Sequence, residues 1–159
     1  MATKQFTSKK TIKFDINFAA TPLVKNTSAT IGYLPAGCII TDGWAVIKTE
    51  LGDADAGDDT TLSVGLAATA AALYPATSIA NMNANTYLKL IPGVLNIGTG
   101  EVITTVDTPA EIVALGRVSA NTHGGVVLTA TSAVTLSASN DQNIDSGTMS
   151  IYIEYFKIA

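Results

Sequence analysis

Side chains able to do chemistry are sparse in this chain of 159 residues, and their spacing limits what they can do. Histidine, the commonest general base and metal ligand, occurs once, as His123 in the string SANTHGG. That string reads as a turn between strands, where an imidazole is simply solvated. Cys38 is the single cysteine, which excludes an intrachain disulfide and a multi-cysteine zinc site. Its neighbours in GCIITDGW are apolar, so it reads as a buried, inert thiol rather than a nucleophile. Glu50, Glu101, Glu111 and Glu154 are dispersed over separate strand patterns, and nothing in their spacing argues for a paired-carboxylate glycosidase site. No nucleophile elbow, zinc-protease helix motif, phosphate loop or dinucleotide fingerprint occurs. No enzyme is expected.

Two charge clusters stand out. Asp53, Asp55, Asp58 and Asp59, in GDADAGDDTT, offer hard oxygen ligands at the close spacing that suits calcium. The string lacks the later bidentate glutamate of an EF-hand loop. A solvated acidic hairpin tip is the simpler reading and calcium the alternative. No cofactor is expected. Lys4, Lys9, Lys10 and Lys13 lie in the first thirteen residues, which hold no acid, while the remainder carries five basic and thirteen acidic residues. A basic tip can neutralise phosphates. Four lysines without an arginine among them make a weak case for nucleic acid, which is not expected as a partner. They read instead as the contact residues of an N-terminal basic arm, residues 1–10, held against the domain or a partner.

The elements that must position these groups are strands. Apolar residues make up 47% of the chain and charged ones only 14%, with a mean hydropathy of +0.33. Typical domains carry about 25% charge, so this surface is charge-poor and either rigidly β or largely covered by partners. Residues 11–159 suffice for one domain, and a chain of this length buries about 70% of the surface it exposes unfolded. The start, MATKQFTSKK, has no apolar leader core, and the apolar runs are too short for a membrane-spanning helix. Ile12, Phe14, Ile16 and Phe18 alternate with Lys13, Asp15 and Asn17, the pattern of a strand with one face buried. Further strands are predicted over residues 29–33, 38–51, 61–67, 87–91, 101–106, 111–119, 125–133, 134–138 and 148–158. A bulge or kink is expected at Asp42-Gly43. Residues 67–85 read either as a short alanine-rich helix ended by Pro75 or as a loop excursion. The fold expected is a single antiparallel β-sandwich of about 8–10 strands.

The final predicted strand has apolar side chains on both faces. Met149, Ile151, Ile153 and Tyr155 alternate on one side, and Tyr152, Phe156 and Ile158 fall on the other with Ser150 and Glu154. With no long helix to cover that second face, Tyr152, Phe156 and Ile158 become candidates for a subunit interface. Glu154 should then find a polar partner or reach the rim.

Taken together, LPAGCIITDGWAVIKTEL, TTLSVGLA and the closing GTMSIYIEYFKIA resemble jelly-roll proteins that decorate the heads of tailed bacteriophages. The likeness covers most of residues 34–67 and 111–158; residues 68–85 and the basic arm have no counterpart. It implies a jelly-roll-like sandwich acting as a capsid decoration or cement protein. Such a protein would be a homotrimer on the outer head surface of the virion, made in the host cytoplasm. Its partners would be the major capsid protein and itself, with no membrane involved. The rival readings are a tail, fibre or baseplate module with a carbohydrate-binding role in host attachment, and a glycan-active enzyme on a sandwich.

Overall fold

The computed structural model describes residues 9–54, 60–67, 69–90, 94–95, 102–103, 126–139 and 142–157. Nine strands make two sheets. β1 (Lys10–Asn17), β3 (Cys38–Asp53), β6 (Tyr87–Lys89), β9 (Val126–Leu128) and β11 (Ile144–Lys157) form the first. β2 (Thr27–Leu34), β4 (Thr61–Leu66), β5 (Thr69–Ser78) and β10 (Ser132–Ser139) form the second, in the order β2-β10-β4-β5. A separate ribbon pairs β7 (Val94–Leu95) with β8 (Val102–Ile103). The ladders between strands are antiparallel. The protein is therefore the all-β sandwich that the alternating pattern predicts. No helix among the described residues is long and apolar enough to cross a membrane.

Connections repeatedly carry the chain from one sheet to the other, so each sheet is assembled from segments distant in sequence. β11 is the clearest case. It lies between β1 and β3, pairing Phe14 with Ile151 on one side and Ala45 with that same Ile151 on the other. Its inward residues Met149, Ile151 and Ile153 are fully buried, as expected, and Tyr155 packs against the core more loosely. Cys38, Ile40, Ala45 and Ile47 of β3 join them. Leu34, Leu62, Val64, Val134 and Leu136 face them from the second sheet. Phe18 and Leu23 close the corner between β1 and β2, while Ile79 and Met82 plug the end where the chain leaves β5 for β6.

A one-residue bulge in β3 explains how one strand serves the core throughout. Glu154 pairs with Asp42 and Tyr155 with Ile40, so Thr41 is the extra residue. Before it the buried positions are Cys38 and Ile40; after it they are Ala45 and Ile47. A slip of one residue flips every side chain to the other face, and the bulge lets the strand change parity without exposing either half. The irregularity expected at Asp42-Gly43 thus falls one residue earlier, at Thr41, and both of those residues keep regular partners on β11. Gly43 sits where a Cβ would come within 3.1 Å of both Leu90 Cβ and the Tyr152 carbonyl oxygen.

The prediction for residues 67–85 needs correction. This segment is neither a helix nor a free loop, but the edge strand β5 followed by one short 3₁₀ turn, Ile79–Asn81. β5 pairs along β4, with Thr61 opposite Ser78 and Val64 opposite Tyr74. Tertiary pairing overrides the helical preference of alanine, because the Ala-rich run fits beside the apolar β4. Pro75 is tolerated because it sits on an edge strand within a register shift, where no ladder donor is required of it. The boundary predicted between residues 133 and 134 also moves. The break lies at 129–131, and Ala133 belongs to β10, opposite Tyr33. The strand predicted over 111–119 lies outside the described residues.

Candidate interaction surfaces

The outward face of the first sheet carries most of the charged and aromatic side chains that the sequence brings forward. A cross-strand row runs Lys13, Tyr152, Trp44, Lys89 over four strands. Tyr152 and Trp44 stack with ring centroids 5.2 Å apart and planes 11° from parallel. The Lys13 ammonium lies 5.9 Å from the Tyr152 centroid, an additional cation–π contact. Cover for the second face of β11 therefore comes partly from the chain itself. Period 2 along each strand places the rings outward, and register places them side by side.

Asp15 organises the next row. Lys13 Nζ donates to it at 2.8 Å and Lys48 Nζ at 2.9 Å, and the hydroxyl of the fully buried Ser150 donates as well. These donors, Lys13 foremost, hold the Asp15 carboxyl far below the usual carboxylate range, and Asp15 in turn raises Lys13. At the edge, burial by itself would raise Asp42. The ion pair with Lys89 and the Gly43 N–H at 2.7 Å outweigh it, and the carboxyl lies below its ordinary value. Glu154 accepts from Lys9 Nζ at 2.5 Å with its side chain only 14% exposed, which is the polar partner its position in an apolar face requires.

Of the basic arm residues, Lys9 and Lys13 are thus tied to Glu154 and Asp15 of the same chain, and Lys10 opens β1 opposite Tyr155. Lys4 lies outside the described residues. So do Asp55, Asp58, Asp59, His123 and Ile158. Asp53 ends β3 and accepts from the Thr60 N–H at 3.4 Å. No cluster of metal-ligating side chains occurs among the described residues. Cys38 is buried, and burial pushes its thiol pKa up, in keeping with an inert packing role. Tyr152 and Phe156 are half-buried on the outward face of β11.

Two features escape a reading of single strands. The stack of Trp44 on Tyr152 depends on the Thr41 bulge, which sets which residues of β3 point outward. The second is a cleft of about 360 Å³ where β1 and β2 border one another, with an apolar wall of Ile16, Phe18, Leu23, Ile31 and Leu136. β1 and β2 are terminal strands of their respective sheets in the observed order. Phe14 closes the other half of this seam against Gly32, where an added Cβ would fall 2.2 Å from the ring.

No protein-family model matches the chain, and no curated protein matches it. Its fold is similar to that of a chain in the capsid asymmetric unit of cyanophage Pam1, with a TM-score of 0.54 and 17% identity, covering 94% of this chain and 84% of that one. It is also similar to a chain of the capsid of Ralstonia phage GP4, with a TM-score of 0.54 and 10% identity, covering 99% of this chain and 89% of that one. At such identities the likeness is one of fold.

Proposed function

We propose that this chain is a structural protein of a phage virion, a capsid decoration protein. In this reading it binds the outer head surface as a homotrimer and stabilises contacts between major capsid protein subunits. The observation that carries it is the likeness of fold to chains of two phage capsids over 94% and 99% of this chain. The charge-poor composition and the aromatic outer face of β11 support it further. A trimer that straddles subunit boundaries adds buried area at several points at once. Linked contacts gain from effective concentration, so modest individual interfaces hold the shell together. Tyr152, Phe156 and Ile158 supply the subunit interface, and the basic arm supplies attachment. The role needs neither catalysis nor a cofactor.

Purified protein added to shells that lack it should co-sediment saturably. Removal of residues 1–8, which leaves β1 intact, should lower occupancy. Failure of the full chain to bind shells, or its recovery only with tails, would overturn the reading. A host-attachment module that binds carbohydrate is the second reading, favoured by the exposure of Tyr33 and Tyr87, at 63% and 66%. Glycan binding lost on Tyr87→Ala would support it against decoration.

A further inference from the structure

We propose that the outward face of the first sheet docks on the same face of a second copy of this chain, across a twofold axis. This contact goes beyond the trimer and adds a second kind of join between copies. Register sorts the charges of the face into bands that cross the strands, each about 6.7 Å from the next. Thr11, Glu154 and Asp42 form an acidic band, and Lys13, Tyr152, Trp44 and Lys89 form the basic band beside it. Asp15, Ser150, Val46 and Tyr87 follow, with one negative charge. Asn17, Thr148 and Thr49 come next, and there Lys48, reaching back to Asp15 over the same face, supplies one positive charge. The bands are open to a partner: Lys13, Asp15, Asp42, Lys48 and Lys89 keep between 38% and 57% of their side-chain surface exposed.

Alternation of sign selects both the occupant and its orientation. A twofold axis that crosses the strands, midway between the Lys13 and Asp15 bands, reverses the order of the bands. Lys13 then faces Asp15 of the partner subunit, and Asp42 faces Lys48 of the partner subunit. Bulk is matched in the same way, with Trp44 against Val46, Tyr152 against Ser150, and Lys89 against the exposed Tyr87 ring. A twofold axis along the strands would instead set each band against its own sign, which like charges oppose. Copies of a chain with net charge −4 repel one another overall, and the banding gives them a face on which opposite signs meet. Identical patches on two copies make a contact that closes with two. Area sets its strength. Strands about 4.8 Å apart and four bands give roughly 400–500 Å² per copy, against about 800 Å² per partner in a stable interface. The contact is therefore weak in free solution and becomes lasting where binding to a common shell raises effective concentration. Phe156 lies beyond Glu154, outside the four bands, so the end of β11 stays free for the threefold contact, and Tyr152 borders both.

Charge exchange tests the docking. Sedimentation of the purified full chain from micromolar to millimolar concentration should show its basic unit doubling in mass reversibly, and less so at high salt. Asp42→Lys and Lys48→Glu should each weaken the doubling about tenfold or more, because each sets like charges face to face at two symmetric points. The double variant should restore it. Positions 42 and 48 then attract again across the axis, while the intrachain pairs of Asp42 with Lys89 and of Lys48 with Asp15 stay broken. Tyr87→Ala, on the edge strand β6, should weaken the doubling without touching an ion pair. Absence of doubling at millimolar concentration, single variants that double like the native chain, or no recovery in the double variant would each overturn the docking. A trimer that never doubles leaves the trimer standing without this contact. A monomer that doubles leaves this contact standing without the trimer.

Discussion

Asp15 accepts two lysines and a buried serine hydroxyl, so its ionised form is what the folded state holds. Its folded pKa is depressed, chiefly by the Lys13 hydrogen bond, and the stabilisation is present above the unfolded value. It is lost as pH falls below about 4, the ordinary aspartate range. Asp15→Asn should therefore flatten the acid limb. Thermal melts at neutral and acidic pH should differ less in the variant than in the native chain, and an equal difference would remove this residue from the account. Gly147 is the other position where one residue decides a local geometry. Its φ is +92°, and an added Cβ would lie 2.2 Å from the Glu50 carbonyl oxygen. Gly147→Ala should cost at least about 2 kcal/mol in denaturant unfolding, from left-handed strain and displaced backbone together.

Between strands, register carries the energetics. Tyr152 and Trp44 meet because β11 and β3 are paired as observed, and a stacked pair is worth about 0.5–1.5 kcal/mol beyond its buried area. A double-mutant cycle with Trp44→Ala and Tyr152→Ala should return a coupling within that range. Additive losses would show that the rings merely neighbour one another. This pair also marks how far the sequence is legible. Period 2 reveals the inward residues of β1 and β11, because alternation is local, whereas the Thr41 bulge hides the change of parity within β3. Alternation does not reveal which strand lies beside which, so Lys9 with Glu154 and Ser150 with Asp15 emerge only once β1 is laid against β11. β5 is missed for another reason. Its alanines and Pro75 carry a helical and loop signal that the pairing with β4 overrules, and proline is harmless at an edge.

For the whole molecule, the outer face of β11 and the β1–β2 seam lie side by side, since β1 borders both. A trimer that uses Tyr152 and Phe156 would bring the seam to the margin of its interface. Light scattering should give a trimer at micromolar concentration. Phe156→Asp should shift it toward monomer, by placing a charge where apolar contact is proposed. A trimer unaffected by that substitution would move the interface away from β11. The ion pairs of this face are already closed within the chain. A partner meeting it finds a nearly neutral aromatic surface, which costs less to desolvate than unpaired lysines would.

The central position of β11 has a consequence in time. β1 is synthesised early, yet its partner in the ladder is the strand that follows all the others, and β3 needs that same strand along most of its length. On a translating ribosome the first sheet has its flanks but no middle until β11 itself has been made. β1 and β3 must wait as unmatched edges, the state in which β proteins are most prone to associate wrongly. Closure is then a late event dominated by contacts between distant segments, which are slow to form. Charged side chains on the waiting β1, Lys10, Lys13 and Asp15, are well placed to keep it apart from other chains during that interval.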